Sequence, residues 1–184
     1  AMEPPSSISG DSVRNEKVKV LEAIRPMSPE DVISSTVRGQ YGPGVVDGKN
    51  VPAYRHEPDV NPQSNTETFV AMKLFIENWR WAEVPFFIRS GKRMATHTTQ
   101  VVIGFKSAPL LLFGEEMEQN VKPNRLVLHV QPDEGITLDS YGKRLGPNIS
   151  LVNVPLDFSY SEFGEHTAAT GYETLLYDCM IGET

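Results

Sequence analysis

Arg89-Ser90-Gly91-Lys92-Arg93 is the most chemically loaded stretch of the chain, with three cations in five residues. It closes an apolar run, Val84–Ser90, that reads as a strand. Gly91 permits a turn or the close approach of a ligand. Arginine grips an anion bidentately, and lysine supplies a compact point charge. Arg93, one position past Lys92, is expected on the opposite side of the chain. The competing reading is a solvated hairpin end. Net charge decides what kind of anion the cluster suits. The 184 residues carry 17 Lys and Arg against 24 Asp and Glu, a formal charge of −7. A net-acidic chain lacks the broad basic face that nucleic-acid backbones require. A local basic cluster on such a chain points to a small anionic ligand.

Four histidines (His56, His97, His129 and His166) show no metal-ligand spacing. His97 lies five residues beyond Lys92 and is a candidate for the same pocket. Gln131 ends a strand at Gln131-Pro132-Asp133-Glu134-Gly135, and its amide can both donate to and accept from a sugar hydroxyl. Asp133 and Glu134 are adjacent and point apart, which suits a turn better than a paired acid and base. Asn78-Trp79-Arg80-Trp81 holds both tryptophans. Packing in a core or interface is preferred over sugar stacking there, because Trp buries a large area and needs a single polar partner. Gly42-Pro43-Gly44-Val45-Val46-Asp47-Gly48 imitates a dinucleotide fingerprint. The third glycine should fall at Asp47 and a helix should follow at once; GKNVPAY follows instead. A nucleotide domain, if the protein has one, is therefore expected elsewhere.

The single cysteine, Cys179, excludes an internal disulfide and a multi-cysteine metal site, and fits reducing, cytoplasmic conditions. Apolar runs such as Pro109–Phe113 fall far short of a membrane span. The Pro/Ser-rich start is no signal peptide, so the sequon Asn148-Ile149-Ser150 is not read as glycosylated. Both ends look cut, and a fragment of a longer protein is expected.

The elements that must position these residues follow from periodicity. Residues 1–10 read as a linker and 11–184 as a single α+β domain. Asp11 is expected to cap a helix over Ser12–Ile24 that Pro26 ends. Val32–Tyr41 leans toward strand, and 42–65 reads as a long, functional excursion. Thr66–Glu77 is a strand, with Val70, Met72, Leu74 and Ile76 on one face and Phe69, Ala71, Lys73 and Phe75 on the other. Further strands are expected at Val84–Ser90, Gln100–Lys106, Asn124–Gln131, Gly135–Asp139 and Val152–Tyr160. Thr167–Met180 reads as a closing helix with Ala168, Tyr172, Leu175, Leu176 and Cys179 on one face. Short links between consecutive strands imply a mainly antiparallel β-sheet with helices packed on one face. The sheet face of Phe69, Ala71 and Phe75, with Trp79 or Trp81, has no obvious cover and is expected to self-associate.

RGQYGPG, VPAYR, SNTETFVAMKLFIENWRWAEVPFFIRSGKR, VVIGFK, NRLVLHVQPDEGI, LDFSY and YETLLYDCMIGE, in that order, resemble the C-terminal domain of glucose-6-phosphate dehydrogenase. The opening AMEPPSS is similar to the segment that enters that domain. The resemblance implies a two-domain enzyme that oxidises glucose 6-phosphate to 6-phosphogluconolactone with NADP in the pentose phosphate pathway. In the family, the Rossmann motif, the phosphate-gripping His-Tyr-…-Lys motif and the histidine base lie upstream of the AMEPP segment. By this resemblance the chain holds no catalytic, cofactor-binding or metal-binding residue, and alone it would be inactive. It would bind glucose 6-phosphate through part of the sugar-phosphate pocket and form a homodimer, or dimer of dimers, through the sheet, without nucleic acid or membrane. Lys92 matches the family's substrate-contacting lysine, Arg89 its neighbour in the RxGK pattern, and Gln131 a position that reaches the sugar. His97 stands where the family usually has Arg or Lys as a second substrate contact; neutral imidazole brings less charge. Some members bind a second, structural NADP beside this sheet. Here the corresponding positions read Thr98, Val102, His129, Thr137 and Asp139; Arg89 and Asp157 alone are retained, so no such site is expected. The alternative is a non-catalytic sugar-phosphate-binding or regulatory module of the same fold.

Overall fold

The structure is a computed structural model, and it describes residues 1–107, 122–147, 150–163 and 172–182. It distinguishes two compact units within what the sequence reads as one domain, Ala1–Ala95 and Thr96–Thr184.

In the first unit, α1 spans Gly10–Glu22, and Ser9, not Asp11, is its cap. The Ser9 hydroxyl accepts from the Ser12 amide, and Asp11 falls in the first turn, where its charge favours the helix dipole. The helix stops short of Ile24. That residue bridges to Ile76, and the Ala23 carbonyl accepts from Glu77 N at 2.7 Å. Residues 1–10, expected as a linker, are tied down: Glu3 pairs with Arg80, and Trp81 Nε1 donates to the Ala1 carbonyl at 2.8 Å.

Helix α2, Pro29–Ser35, takes the first half of the stretch expected to be strand. The reason is Ser28-Pro29-Glu30-Asp31. The Ser28 hydroxyl accepts from Asp31 N and the Asp31 carboxylate from Ser28 N, both at 3.1 Å, with proline pre-set in the first turn. Two satisfied orphan amides outweigh the strand preference of Val32 and Ile33. The strand β1 begins afterwards, at Thr36–Gly39.

The excursion holds a small hairpin of β2, Gly44–Val46, and β3, Lys49–Val51. Asp47 and Gly48 turn it with φ of 49° and 74°, the signature of a tight primed turn. A hairpin stands where a dinucleotide motif would need a helix. A 3₁₀ turn follows at Tyr54–His56. Strand β4, Phe69–Phe75, is flanked by β1 and β5, Pro85–Gly91, both antiparallel, in the order β1-β4-β5. Ile76, 4% exposed, is the buried hydrophobic residue of this unit.

The second unit is an antiparallel meander, β6 (Thr99–Gly104), β7 (Arg125–Gln131), β8 (Gly135–Lys143) and β9 (Leu151–Ser159), in sequence order. Strand β5 pairs with β4 in the first unit and β6 with β7 in the second. Register sorts the side chains. Val101, Leu128, Ile136 and Phe158 align across one face, as do Ile103, Leu126, Leu138 and Leu156. The other face aligns Val102, Val127, Thr137 and Asp157, with His129 beside them. Val127 is buried, whereas Val101, Ile103, Ile136, Val154 and Leu156 remain exposed. Helix α3 covers Tyr172–Ile181 and exposes Leu175, Leu176 and Met180. The expected start of this helix, Thr167–Gly171, lies outside the described residues, as do His166, Pro109–Phe113 and Asn148-Ile149. The fold class is α+β with antiparallel sheets, as the sequence indicates. Among the described residues, no helix is long and apolar enough to cross a membrane.

Candidate functional site

The basic cluster ends strand β5. Gly91 pairs with Phe69 on β4, and the ladder runs one bond further, from Lys92 N to the Thr68 carbonyl at 2.8 Å. A side chain at 91 would have to displace the Met94 and Phe69 side chains. A Cβ would sit 2.9 Å from both Met94 Sδ and Phe69 Cδ2. The backbone that carries Lys92 is thus pinned on its N-terminal side, while the lysine side chain is exposed. Arg89 lies within β5 opposite Ala71, so strand alternation sends it to the face of Phe69 and Phe87.

The three cations are not equivalent. Arg93 Nη2 donates to Glu57 Oε1 at 3.0 Å, and that oxygen also accepts from the Tyr41 hydroxyl at 3.1 Å. The Tyr41 hydroxyl, and after it the Glu57 carboxylate, raise the Arg93 guanidinium above its already high pKa. Arg93 is therefore committed to the protein. Arg89 and the Lys92 ammonium make no hydrogen bond or ion pair among the described residues. Every other arginine of this unit is held: Arg14 by Asp11, Arg25 by Glu77, Arg38 by Glu67, Arg55 by Gln40 and Asn65, Arg80 by Glu3. Lys17 and Lys49 are likewise exposed and without a partner among the described residues, so what distinguishes Lys92 is its place at the end of β5 and not the absence of a partner.

His97 and Gln131 belong to the second unit, and the structure brings them to the same end of its sheet. Thr99 pairs with Gln131, with a register shift before Gln100, and Thr98 Oγ1 donates to the Gln131 carbonyl at 3.1 Å. His97 is exposed two residues before that pairing. The Gln131–Pro132 peptide bond is cis, and it opens the turn to Gly135. The Gln131 amide makes no protein hydrogen bond among the described residues.

His129 Nε2 lies 3.0 Å from Thr137 Oγ1, and Arg125, the neighbouring cation on that face, is held by Asp139. Among the described residues, no group of His, Cys, Asp and Glu could hold a metal. Trp81 packs edge-on to Phe86 at 5.3 Å, but Trp79 is fully exposed, so it is not a core residue. Phe69, Ala71 and Phe75 are half-buried, whereas Val101, Ile103, Ile136 and Leu156 on one face of β6–β9 are exposed. Sequence reasoning missed Glu57 and Tyr41. Glu57 lies 36 residues from Arg93, and no local pattern reports a pairing at that distance.

The sequence matches the family described as glucose-6-phosphate dehydrogenase, C-terminal domain, over residues 1–184. Among curated proteins it is 48% identical to glucose-6-phosphate 1-dehydrogenase of Bacillus subtilis, using all of this chain and 37% of that one. It is 45% identical to the protein of the same name from Mycolicibacterium smegmatis, again covering 100% of this chain and 37% of the relative. A solved structure of glucose-6-phosphate dehydrogenase in complex with its substrate glucose-6-phosphate superposes with a TM-score of 0.80 at 34% identity. It covers 100% of this chain and 36% of the other. The chain thus spans little more than a third of the length of the relatives it matches.

Proposed function

Because this chain belongs to the glucose-6-phosphate dehydrogenase C-terminal domain family, we propose that its parent protein oxidises glucose 6-phosphate with NADP. Hydride passes from C1 of the sugar to the nicotinamide, the C1 hydroxyl proton passes to a base, and a lactone results. Cofactor and base belong to the portion of the parent that precedes this domain in the family. This chain contributes part of the sugar-phosphate pocket and a dimer interface on its sheet. Lys92 supplies a substrate contact, His97 a second substrate contact and Gln131 a contact to a sugar hydroxyl. Arg89 serves as an auxiliary cation.

The observation that carries this reading is the Lys92 turn: an exposed ammonium, unpaired among the described residues, on a backbone held by the bond from Lys92 N to the Thr68 carbonyl, in a chain matched throughout to the family. A charge-assisted hydrogen bond contributes about 1.5–3 kcal/mol. Lys92→Ala in the full-length enzyme should therefore lower kcat/KM for glucose 6-phosphate roughly 10- to 150-fold. The KM for NADP should hold. The isolated chain is the control and should reduce no NADP, since transfer needs cofactor and base held together. An unchanged kcat/KM for Lys92→Ala would remove Lys92 from the site.

A further inference from the structure

Arg93 has a backbone φ of 53°, a left-handed conformation that a non-glycine residue keeps where its surroundings impose it. The surroundings form a closed circuit. Lys92 N donates to the Thr68 carbonyl, and the Thr68 hydroxyl accepts from Tyr41 N at 3.0 Å. The Tyr41 hydroxyl donates to Glu57, and Glu57 accepts from Arg93, the residue bonded to Lys92. Tyr41 is further fixed by Tyr54, whose ring meets it edge-on at 5.8 Å. The Glu57 side chain is 18% exposed and that of Arg93 42%, so the pair is better shielded from water than the Arg14–Asp11 pair, at 58% and 87%. Ordinary surface pairs contribute little, because solvent screens them and two long side chains must be ordered. Here the ordering itself is the effect. It gives the excursion of residues 42–65 a task, since that excursion brings Glu57 back to the turn after β5.

We infer that Tyr41, Glu57 and Arg93 are positioning residues that set the direction of Lys92 and through it the affinity for the sugar phosphate, without touching the substrate. The inference rests on Lys92 being a substrate contact, as proposed above. A cation on a loose turn must be ordered at each binding event, whereas one on a fixed turn is already oriented.

The test is steady-state kinetics of the full-length enzyme, with glucose 6-phosphate and NADP varied separately. Glu57→Gln keeps the shape and removes the charge; it should raise the sugar-phosphate KM about 3- to 10-fold, leave kcat within about 2-fold and leave the NADP KM unchanged. Arg93→Ala should act in the same way, and Arg93→Lys should recover part of the loss. In a Lys92→Ala background, Glu57→Gln should add less than about 1.5-fold, because the clamp acts through the lysine. A residue with a merely structural role would exact the same penalty in both backgrounds, and that result overturns the inference. A normal KM for Glu57→Gln beside a strong Lys92→Ala effect also overturns it and leaves the Lys92 contact intact. A silent Lys92→Ala overturns the contact itself. Tyr41→Phe deletes one hydroxyl and carries the same comparison where Glu57→Gln does not fold.

Discussion

Gly135→Ala tests the packing of the second sheet without reference to any ligand. Gly135 opens β8, is buried, and pairs with His129 on one side and Ser159 on the other. An added Cβ would lie 2.5 Å from the Phe158 carbonyl oxygen, about 1 Å inside ordinary van der Waals contact. The obstacle is backbone, so no side chain can rotate away. Either β9 moves off β8 or the end of the ladder frays, taking with it the bond from Tyr160 N to the Glu134 carbonyl at 3.1 Å. Overpacking costs about 1–3 kcal/mol, and a lost hydrogen bond about 1 more. Against this, alanine has less freedom in the unfolded chain, worth about 0.4–1 kcal/mol in its favour where φ permits. The net expectation is a loss of roughly 1–3.5 kcal/mol. Two internal controls fix the scale. Gly142→Ala meets Val154 Cγ2 at 3.2 Å, a side-chain atom that can give way, and Gly104→Ala meets nothing within 4 Å. Urea denaturation of the three variants should order them Gly135, Gly142, Gly104 by decreasing loss, with Gly104→Ala within about 0.5 kcal/mol of the parent sequence. A Gly135→Ala variant as stable as Gly104→Ala would refute the β8–β9 register.

Two further outcomes are expected. The Asp31 carboxyl is held below its usual pKa, first by the Ser28 amide and then by the Ser28 hydroxyl. Its contribution to α2 is therefore complete above the unfolded value of about 3.9 and is lost as pH falls through the lower folded value. Asp31→Asn should remove that pH dependence in an NMR titration of the α2 amides, and a titration unchanged by the substitution would contradict the capping box. Separately, the chain should self-associate through the apolar β6–β9 face, and Leu156→Asp on that face should weaken the association. Light scattering reads both, and a monomeric mass for the unmodified chain at micromolar concentration would exclude this interface.

Periodicity made β8 and β9 legible because apolar and polar residues alternate along them, whereas β6 and β7 were legible as short continuous apolar runs. It told that β5 and β6 exist, but not which strands they pair with: alternation describes a strand's own faces, and partners are chosen across the fold. At α2 the composition of Val32 and Ile33 pointed one way and the capping signal before them the other. The four residues Ser28–Asp31 settled the contest because they satisfy amides that no β-branched side chain can reach. Trp79 shows a different limit. Its size says that it wants cover, but nothing in its type says whether the cover belongs to this chain. The basic cluster was legible as a cluster and illegible in its division of labour. Sequence gives Arg89, Lys92 and Arg93 the same sign of charge. What separates them is Glu57, which lies 36 residues from Arg93 and neutralises that cation but not the others. A site on such a turn is defined as much by the charges the fold consumes as by those it leaves. On the inference drawn above, removing the Glu57 charge reaches Lys92 through its neighbour Arg93.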